Sequence, residues 1–146
     1  HNTTLPSMKE FSGKVFIRSA VEKKRTNEIL EELKVKMASS RLAAKNLSGG
    51  NQQKVVLAKW MMKDPDVIIF DEPTRGIDVG AKAEIYKLMN EFVANGKAVI
   101  MISSEMPEAM GMSDRILVIS NHRLSGELSK EEFSQDQIMK MAMRYM

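Results

Sequence analysis

The sequence predicts an α/β protein in which helices cover a parallel sheet. Short, continuous apolar runs at 67–70 and 98–102 are typical of strands that are buried on both faces. Between them, residues 79–95 place apolar side chains at the i, i+3, i+4, i+7 and i+8 positions of one helix, and a third strand is expected at 115–119. Strands that alternate with helices in this way form parallel sheets with helices on their faces.

The first half of the chain is predicted to be helical. A short helix is expected at 4–11 and a charged amphipathic helix at 19–36, and residues 37–47 form a connection. Ser48 is a suitable N-cap for a helix that continues to about residue 63 and ends before Pro65. The apolar positions of the two long helices are Val21, Ile29, Leu30 and Leu33 in the first and Val55, Val56, Leu57, Ala58 and Trp60 in the second.

Polar residues and glycines mark the ends of the remaining helices and strands. Asp78 is expected to cap the helix at 79–95, and Gly96 to end it. A short helix is expected at 106–110, and a strand at 124–128 is expected to pair with 115–119 across a turn. The turn is expected at Asn121-His122. Two capping boxes then predict helices near 130–133 and 135–144, the first formed by Ser129 with Glu132 and the second by Ser134 with Gln137.

Composition and charge exclude several classes of protein. The 146 residues contain no cysteine, no apolar run long enough for a transmembrane helix and no pattern of a signal peptide, and the two histidines are isolated. Residues 1–63 carry 13 Lys and Arg against 5 Asp and Glu, and residues 64–146 carry 9 against 14. Few aromatic residues accompany the basic ones, which favours a solvated helical surface over one that binds nucleic acid or lipid.

Two short stretches carry groups that a phosphate site would use. Asp71 and Glu72 follow the first strand, where one carboxylate can hold Mg²⁺ and the other can orient or deprotonate a water. Ser48, Gly49 and Gly50 stand where a helix presents unpaired N–H groups and where glycines let a phosphate approach. Taken separately, the first stretch is equally compatible with a surface turn, and the second with an ordinary serine N-cap.

Together, LSGG at 47–50 and VIIFDEPT at 67–74, joined by one helix, resemble the ATP-binding cassette family over nearly the whole chain. The resemblance implies a partial RecA-like P-loop ATPase core at 48–146 and part of a helical subdomain at 1–47. It implies that Asp71 supports Mg²⁺, that Glu72 polarises the hydrolytic water, and that 74–78 is a D-loop at a dimer interface. The residues that it implies in ATP binding are the signature residues Leu47, Ser48, Gly49, Gly50 and Asn51, together with Gln52 and Asp78.

The stretches NQQK, EPTRGIDVGAKAEIY and ISSEMPE look like the second cassette of tandem-cassette ATPases in bacterial monosaccharide importers for ribose, galactose or methyl galactosides. SSEMPE and SDRILVIS favour the galactose type. The resemblance implies a peripheral subunit at the cytoplasmic face of the cell membrane. The implied partners are the N-terminal cassette of the same polypeptide, transmembrane permease subunits and, indirectly, a periplasmic sugar-binding protein, with no nucleic acid.

Two departures from the family pattern bear on mechanism. Neither Gly13-Lys14 nor Gly96-Lys97 fits the P-loop pattern G-x-x-x-x-G-K-[ST], so we expect a C-terminal fragment of one cassette that lacks Walker A and is inactive alone. Ser104 stands where the family usually has a histidine that contacts the γ-phosphate, and serine cannot carry that positive charge. We therefore expect this cassette's own ATP site to be slow, while its signature completes the ATP site of the other cassette.

Two other functions remain open from the sequence. A soluble cassette ATPase of the repair or translation-factor kind would act on nucleic acid or ribosomes, although such proteins usually carry long insertions or basic arms, which this sequence lacks. A non-catalytic interaction module is the best description of the chain in isolation.

Overall fold

The computed structural model describes residues 3–12, 16–40 and 42–146, which form six α-helices and four strands. The helices are α1 (Met8–Phe11), α2 (Ser19–Glu32), α3 (Gly49–Met61), α4 (Val79–Ala94), α5 (Met106–Met112) and α6 (Gln135–Ala142). The strands are β1 (Val67–Asp71), β2 (Ala98–Ile102), β3 (Arg115–Ser120) and β4 (Arg123–Ser129), and 3₁₀ turns occur at Leu5–Ser7, Ala44–Asn46 and Lys130–Glu132.

Two structural units divide the described chain. One, here called the helical unit, falls within 1–68 and 74–99, and the other, the hairpin unit, comprises 69–73 and 100–146. In the described residues, no helix is long and apolar enough to cross a membrane.

The core of the helical unit lies among α1, α2, α3 and α4. Its buried apolar side chains are Phe11, Ile29, Leu30, Leu33, Leu57, Ala58, Met62, Ile85, Met89 and Phe92. Val21 was predicted to be apolar surface for packing, but it is exposed, whereas Glu22 is buried and accepts a hydrogen bond of 2.5 Å from the Thr4 hydroxyl. α2 ends at Glu32, earlier than predicted, because Lys34 has a left-handed φ of 51°.

The ends of α3 and α4 agree with the sequence signals. α3 begins directly after Ser48, and Asp64 follows its end with a left-handed φ of 46°. Asp78 caps α4 by accepting a hydrogen bond of 2.9 Å from Ala81 N, and Gly96 follows α4 with a φ of 77°. Val56 and Trp60, two of the apolar positions predicted on α3, are only about half covered, and so is Val93 on α4.

β1 and β2 form a parallel two-stranded sheet, which confirms the predicted fold class. Ala98 N donates to Asp66 O at one end and Glu72 N donates to Ile102 O at the other, each at 2.9 Å. The prediction that both strands are buried on both faces is wrong for the described residues. Side chains alternate along β1, with Ile68 and Phe70 buried and Val67 and Ile69 exposed, and no residue of β2 is buried. One face of β1 is thus packed, and the other is open.

The hairpin unit is built on β3 and β4, which pair antiparallel in a separate two-stranded sheet. Asn121 and His122 both have positive φ, as the predicted two-residue turn requires. α6 packs on β3 and β4 and contributes Ile138 to a cluster with Ile116, Val118 and Leu128. The capping box of Ser129 and Glu132 is confirmed. The second predicted box is wrong, because the Ser134 side chain caps no backbone group. α6 ends at Ala142, two residues earlier than predicted.

Candidate functional site

The amino-terminal end of α3 carries the predicted signature residues. Ser48 has the extended backbone of an N-cap, and its carbonyl accepts the first helical hydrogen bond from Gln52 N at 2.8 Å. The Ser48 hydroxyl does not accept a hydrogen bond from a backbone N–H of the first turn. It accepts one from Asn51 Nδ2 at 2.8 Å. The backbone N–H groups at this helix end are therefore left without the serine cap that the sequence predicted.

The amides of this segment hold its backbone in place. Asn51 Oδ1 accepts a hydrogen bond of 2.8 Å from Lys36 N, in the turn that follows α2. Gln52 Nε2 donates one of 2.8 Å to Leu47 O. Residues 47–52 and Lys36, which we call the signature end, are thus joined by side-chain hydrogen bonds within the chain.

The two glycines of the signature end have different surroundings. A Cβ atom on Gly50 would lie 2.8 Å from the Cβ of Ala81, which belongs to the first turn of α4. A Cβ atom on Gly49 would lie 3.9 Å from Ile77, an ordinary van der Waals distance, and Gly49 is exposed. Gly50 therefore permits the close approach of α3 to α4, while Gly49 leaves the helix end open. The predicted site residue Asp78 caps the same turn of α4, so the helical unit brings it together with the signature end.

Lys54 is the last residue of the stretch NQQK. The sequence predicted no role for it, and in the structure it is buried. Its Nζ lies 2.6 Å from Glu84 Oε2 on α4 and 3.3 Å from Lys34 O, and its side chain is 5% exposed. The hydrogen bond from Lys54 lowers the pKa of the Glu84 carboxyl. The signal was present, because Lys54 lies at i relative to the buried Leu57 and Ala58 at i+3 and i+4, on the core face of α3.

The second set of predicted site residues lies in the hairpin unit, at the carboxyl ends of β1 and β2. Asp71 is the exposed last residue of β1, and Glu72 follows with a left-handed φ of 47°, partly buried. The hydrogen bond from Glu72 N to Ile102 O brings this pair to the same sheet edge as Ser104, which is exposed. Non-glycine residues with this backbone conformation are concentrated at functional sites. Asp71, Glu72 and Ser104 are called the sheet edge below.

Ser103 fixes the segment that carries Ser104. Its hydroxyl donates to the carboxylate of Glu108, which is buried on α5, and accepts a hydrogen bond of 3.0 Å from Glu105 N. Sequence reasoning did not single out Ser103 or Glu108. A serine followed five residues later by a glutamate on a short helix gives no distinct local signal.

The carboxylates of the sheet edge suit Mg²⁺ that is bound together with phosphates. Such an ion uses one or two protein carboxylates and takes its other oxygens from water and phosphate. Across the described ranges, no group of three or more His, Cys, Asp and Glu side chains could hold a metal by itself. Asp71 can therefore serve as a ligand of a nucleotide-bound ion, and a protein-only cage is absent from the described residues.

A helix that begins directly after Leu47-Ser48, followed by a parallel strand that ends at Asp71 beside Glu72, is the arrangement expected from the resemblance to ATP-binding cassettes. The family model described as "ABC transporter" matches residues 2–75, which is just over half of the chain. The chain belongs to this family.

Curated relatives are import ATP-binding proteins. The chain is 52% identical over 144 residues to the ribose import ATP-binding protein RbsA of Clostridium perfringens, covering 97% of this chain and 28% of the relative. It is 54% identical over 138 residues to the xylose import ATP-binding protein XylG of Thermoanaerobacter pseudethanolicus, covering 94% of this chain and 27% of the relative. A putative ribose/galactose/methyl galactoside import ATP-binding protein of Rhizobium etli is 48% identical over 141 residues, with 97% and 27% covered. The chain thus spans little more than a quarter of the length of these relatives.

Solved structures with a similar fold are ATP-binding cassettes. The dimeric structure of a bacterial ABC transporter cassette matches with a TM-score of 0.74 at 23% identity, covering 90% of this chain and 56% of that one. An ATP-binding cassette of an ABC transporter in its ADP conformation matches with a TM-score of 0.69 at 26% identity, covering 81% and 48%. These similarities agree with the α/β fold class.

Proposed function

We propose that the chain is part of the ATPase subunit of an ABC importer for a monosaccharide. Its signature end would complete the ATP site that another cassette holds, and its sheet edge would serve its own cassette's ATP site. The observation that carries this proposal is the open amino terminus of α3, where the Ser48 hydroxyl is turned away from the backbone N–H groups that it would otherwise cap. A helix end of this kind attracts phosphate through its free N–H groups and its dipole.

At the signature end, the chain's own groups would bind the phosphates. Gly49 is exposed and lets the backbone approach the ligand, and the N–H groups of the first turn point out of the helix end. The Ser48 hydroxyl adds a donor. Gln52 and Leu47 hold each other through one hydrogen bond and keep the segment in shape, and Asp78 fixes the start of α4 beside it.

At the sheet edge, Asp71 would hold Mg²⁺, and Glu72 would orient the attacking water and polarise it. The ion, when bound with ATP, supplies charge stabilisation to the phosphoryl group that is transferred to water. Ser104 would donate a hydrogen bond but cannot supply the positive charge of a protonated histidine. The 146 residues contain no match to the P-loop pattern, so we expect them not to hydrolyse ATP alone.

The family and the relatives' names, which describe import ATP-binding proteins, support our proposal for the partners and the location. We place the protein at the cytoplasmic face of a bacterial membrane, with the N-terminal cassette of the same polypeptide, permease subunits and, indirectly, a periplasmic sugar-binding protein as partners. Residues 1–47 would be part of the helical subdomain that faces the permease, and residues 48–146 part of the ATPase core.

The sugar is proposed only as a class. The names of the relatives include ribose, xylose and galactose, so the galactose preference expected from SSEMPE and SDRILVIS remains a prediction.

Two substitutions in the complete transporter test the division of labour between the two sites. Gly49→Asp puts a carboxylate where phosphate would bind, and we expect it to abolish sugar transport and most ATP hydrolysis. The fold should persist, because the Gly49 position is open and an acidic residue at a helix amino terminus is favourable. Ser104→His should retain or increase both activities.

The thermal unfolding temperature of each variant checks that the fold is intact. Retained transport by Gly49→Asp would show that the signature end does not contact the phosphates. It would also remove the proposed role of this chain in the other cassette's ATP site.

A further inference from the structure

The side chain of Asn51 joins two parts of the helical unit. Nδ2 donates to the Ser48 hydroxyl and Oδ1 accepts from Lys36 N, each at 2.8 Å. A backbone N–H can only donate, so the amide oxygen must face Lys36 and the amide nitrogen must face Ser48. The chemistry of the partners therefore fixes the direction of both hydrogen bonds.

This direction has a consequence for the Ser48 hydroxyl. Because its oxygen accepts the hydrogen bond from Asn51, its own hydrogen is not used in that contact. Ser48 is exposed at the helix end. The hydrogen can therefore be donated to an acceptor outside the chain.

The anchor at Lys36 is itself held firmly. The buried Lys54 contacts the carbonyl of Lys34 in the same turn and pairs with Glu84 on α4. Two side chains of α3, at positions 51 and 54, thus attach the turn that follows α2. Asn51 therefore receives its hydrogen bond from a turn that a second side chain of α3 also contacts.

We propose that Asn51 is a positioning residue, which orients the Ser48 hydroxyl as a hydrogen-bond donor to a phosphate oxygen of ATP. This inference rests on the proposed function of the signature end. It requires that the side chain at position 51 accept one hydrogen bond from Lys36 N and donate another to Ser48. An amide meets both requirements, and a carboxylate meets only the first.

A double-mutant cycle in the complete transporter ATPase tests this role. Hydrolysis of Mg-ATP is measured for wild type, Ser48→Ala, Asn51→Ala and the double variant. We expect each single substitution to lower kcat/KM by roughly tenfold, the value of one well-placed hydrogen bond. The double variant should be no worse than Ser48→Ala, because a missing hydroxyl leaves Asn51 nothing to orient.

Three further variants separate positioning from structure. Asn51→Asp keeps the acceptor for Lys36 N, so we expect an unchanged unfolding temperature. It should lower kcat/KM, since the carboxylate takes the Ser48 hydrogen for itself. Asn51→Gln keeps both functions of the amide and should recover most of the activity. Gln53→Ala removes an amide of the same helix that lies outside the proposed site, and it serves as the matched control.

The outcomes distinguish this inference from the function on which it rests. If Ser48→Ala leaves hydrolysis unchanged, the phosphate-binding role of the signature end fails, and the role of Asn51 fails with it. If Ser48→Ala lowers kcat/KM and Asn51→Ala multiplies that loss, the signature end binds phosphate but Asn51 acts independently of Ser48. Normal activity of Asn51→Asp would likewise overturn the positioning role alone.

Discussion

The signature end and the sheet edge differ in how firmly the chain holds their polar groups. At the signature end, three side-chain hydrogen bonds link Ser48, Asn51 and Gln52 to one another and to neighbouring backbone. At the sheet edge, Asp71 and Ser104 are exposed, and hydrogen bonds are made by the backbone of Glu72 and by the neighbouring Ser103. Hydrogen bonds within the chain therefore orient the polar groups of the signature end, which suits the phosphate-binding role that we propose for it. The exposed Asp71 would instead be oriented by the ion that we propose it binds.

The largest loss of stability is expected where α3 approaches α4. Gly50→Ala would place a Cβ atom 2.8 Å from the Cβ of Ala81, and neither atom can rotate away. We expect a loss of about 2–3 kcal/mol in the free energy of unfolding, since overpacking outweighs the better helix propensity of alanine. Gly49→Ala is the matched control and should leave the stability unchanged or slightly higher. Urea unfolding followed by circular dichroism measures both, and equal stability of the two variants would contradict the close approach.

The ion pair between Lys54 and Glu84 should give the next largest effect. Lys54→Met keeps the apolar stem but removes hydrogen bonds to Glu84 and to Lys34 O, and we expect a loss of about 2 kcal/mol. Lys59→Met, on a more exposed part of the same helix, should change the stability far less. A comparable loss in both variants would mean that the ion pair between the buried Lys54 and the exposed Glu84 contributes nothing specific to stability.

The same pair predicts a pH dependence. The pKa of Glu84 is lower in the folded state, so its stabilising contribution is present above the unfolded-state pKa and is lost as the pH falls through the folded-state value. Wild type should therefore lose its advantage over Glu84→Gln below about pH 4, the ordinary range of a glutamate carboxyl. Urea unfolding of both proteins between pH 7 and acid measures this difference. A constant difference across that range would rule out the linkage.

At the sheet edge, Ser103→Ala should cost less, about 1 kcal/mol, because the two hydrogen bonds that it removes, to the Glu108 carboxylate and from Glu105 N, lie at a partly exposed position. In the complete transporter it should also lower the rate of ATP hydrolysis less than Asn51→Ala does. Ser113→Ala, beyond the end of α5, provides the control. A larger effect on hydrolysis from Ser103→Ala than from Asn51→Ala would reverse the comparison between the two regions.

The smallest effect is expected at the close contact within the hairpin unit. A Cβ atom on Gly126 would lie 2.7 Å from the sulfur of Met141. Because the methionine side chain is flexible, Gly126→Ala should cost less than about 1 kcal/mol, well below the cost at Gly50. Thermal unfolding of the two alanine variants side by side checks this order, and a greater loss at Gly126 would contradict it.

Several local signals predicted the ends of helices and turns correctly, whereas the Ser134 box, the Ser48 hydroxyl cap and the end of α2 were predicted wrongly. The Asp78 cap, the Gly96 stop, the Asn121-His122 turn and the Ser129 capping box each depend on groups within a few residues, and the structure confirms them. The family could also be identified from the sequence, because LSGG and VIIFDEPT lie in one continuous segment.

Features that depend on distant neighbours could not be predicted in this way. The ion-pair partner of Lys54 is Glu84, thirty positions further along, and glycine is needed at position 50 because Ala81 lies close to it. Val67 and Ile69 read as core residues, because an apolar run does not reveal which face has a partner. The use of the Asn51 amide depends on the turn at Lys36, which the predicted helix at 19–36 would have straightened.

Calorimetry of Mg-ATP binding tests the central claim most directly. The chain is titrated alone and then in a mixture with the N-terminal cassette, and the mixture is repeated with Gly49→Asp. We predict no binding by the chain alone, tighter binding by the cassette in the mixture, and loss of that gain with Gly49→Asp. Clear binding of Mg-ATP by the chain alone, or an equal gain with Gly49→Asp, would contradict a signature end that completes the ATP site of another cassette.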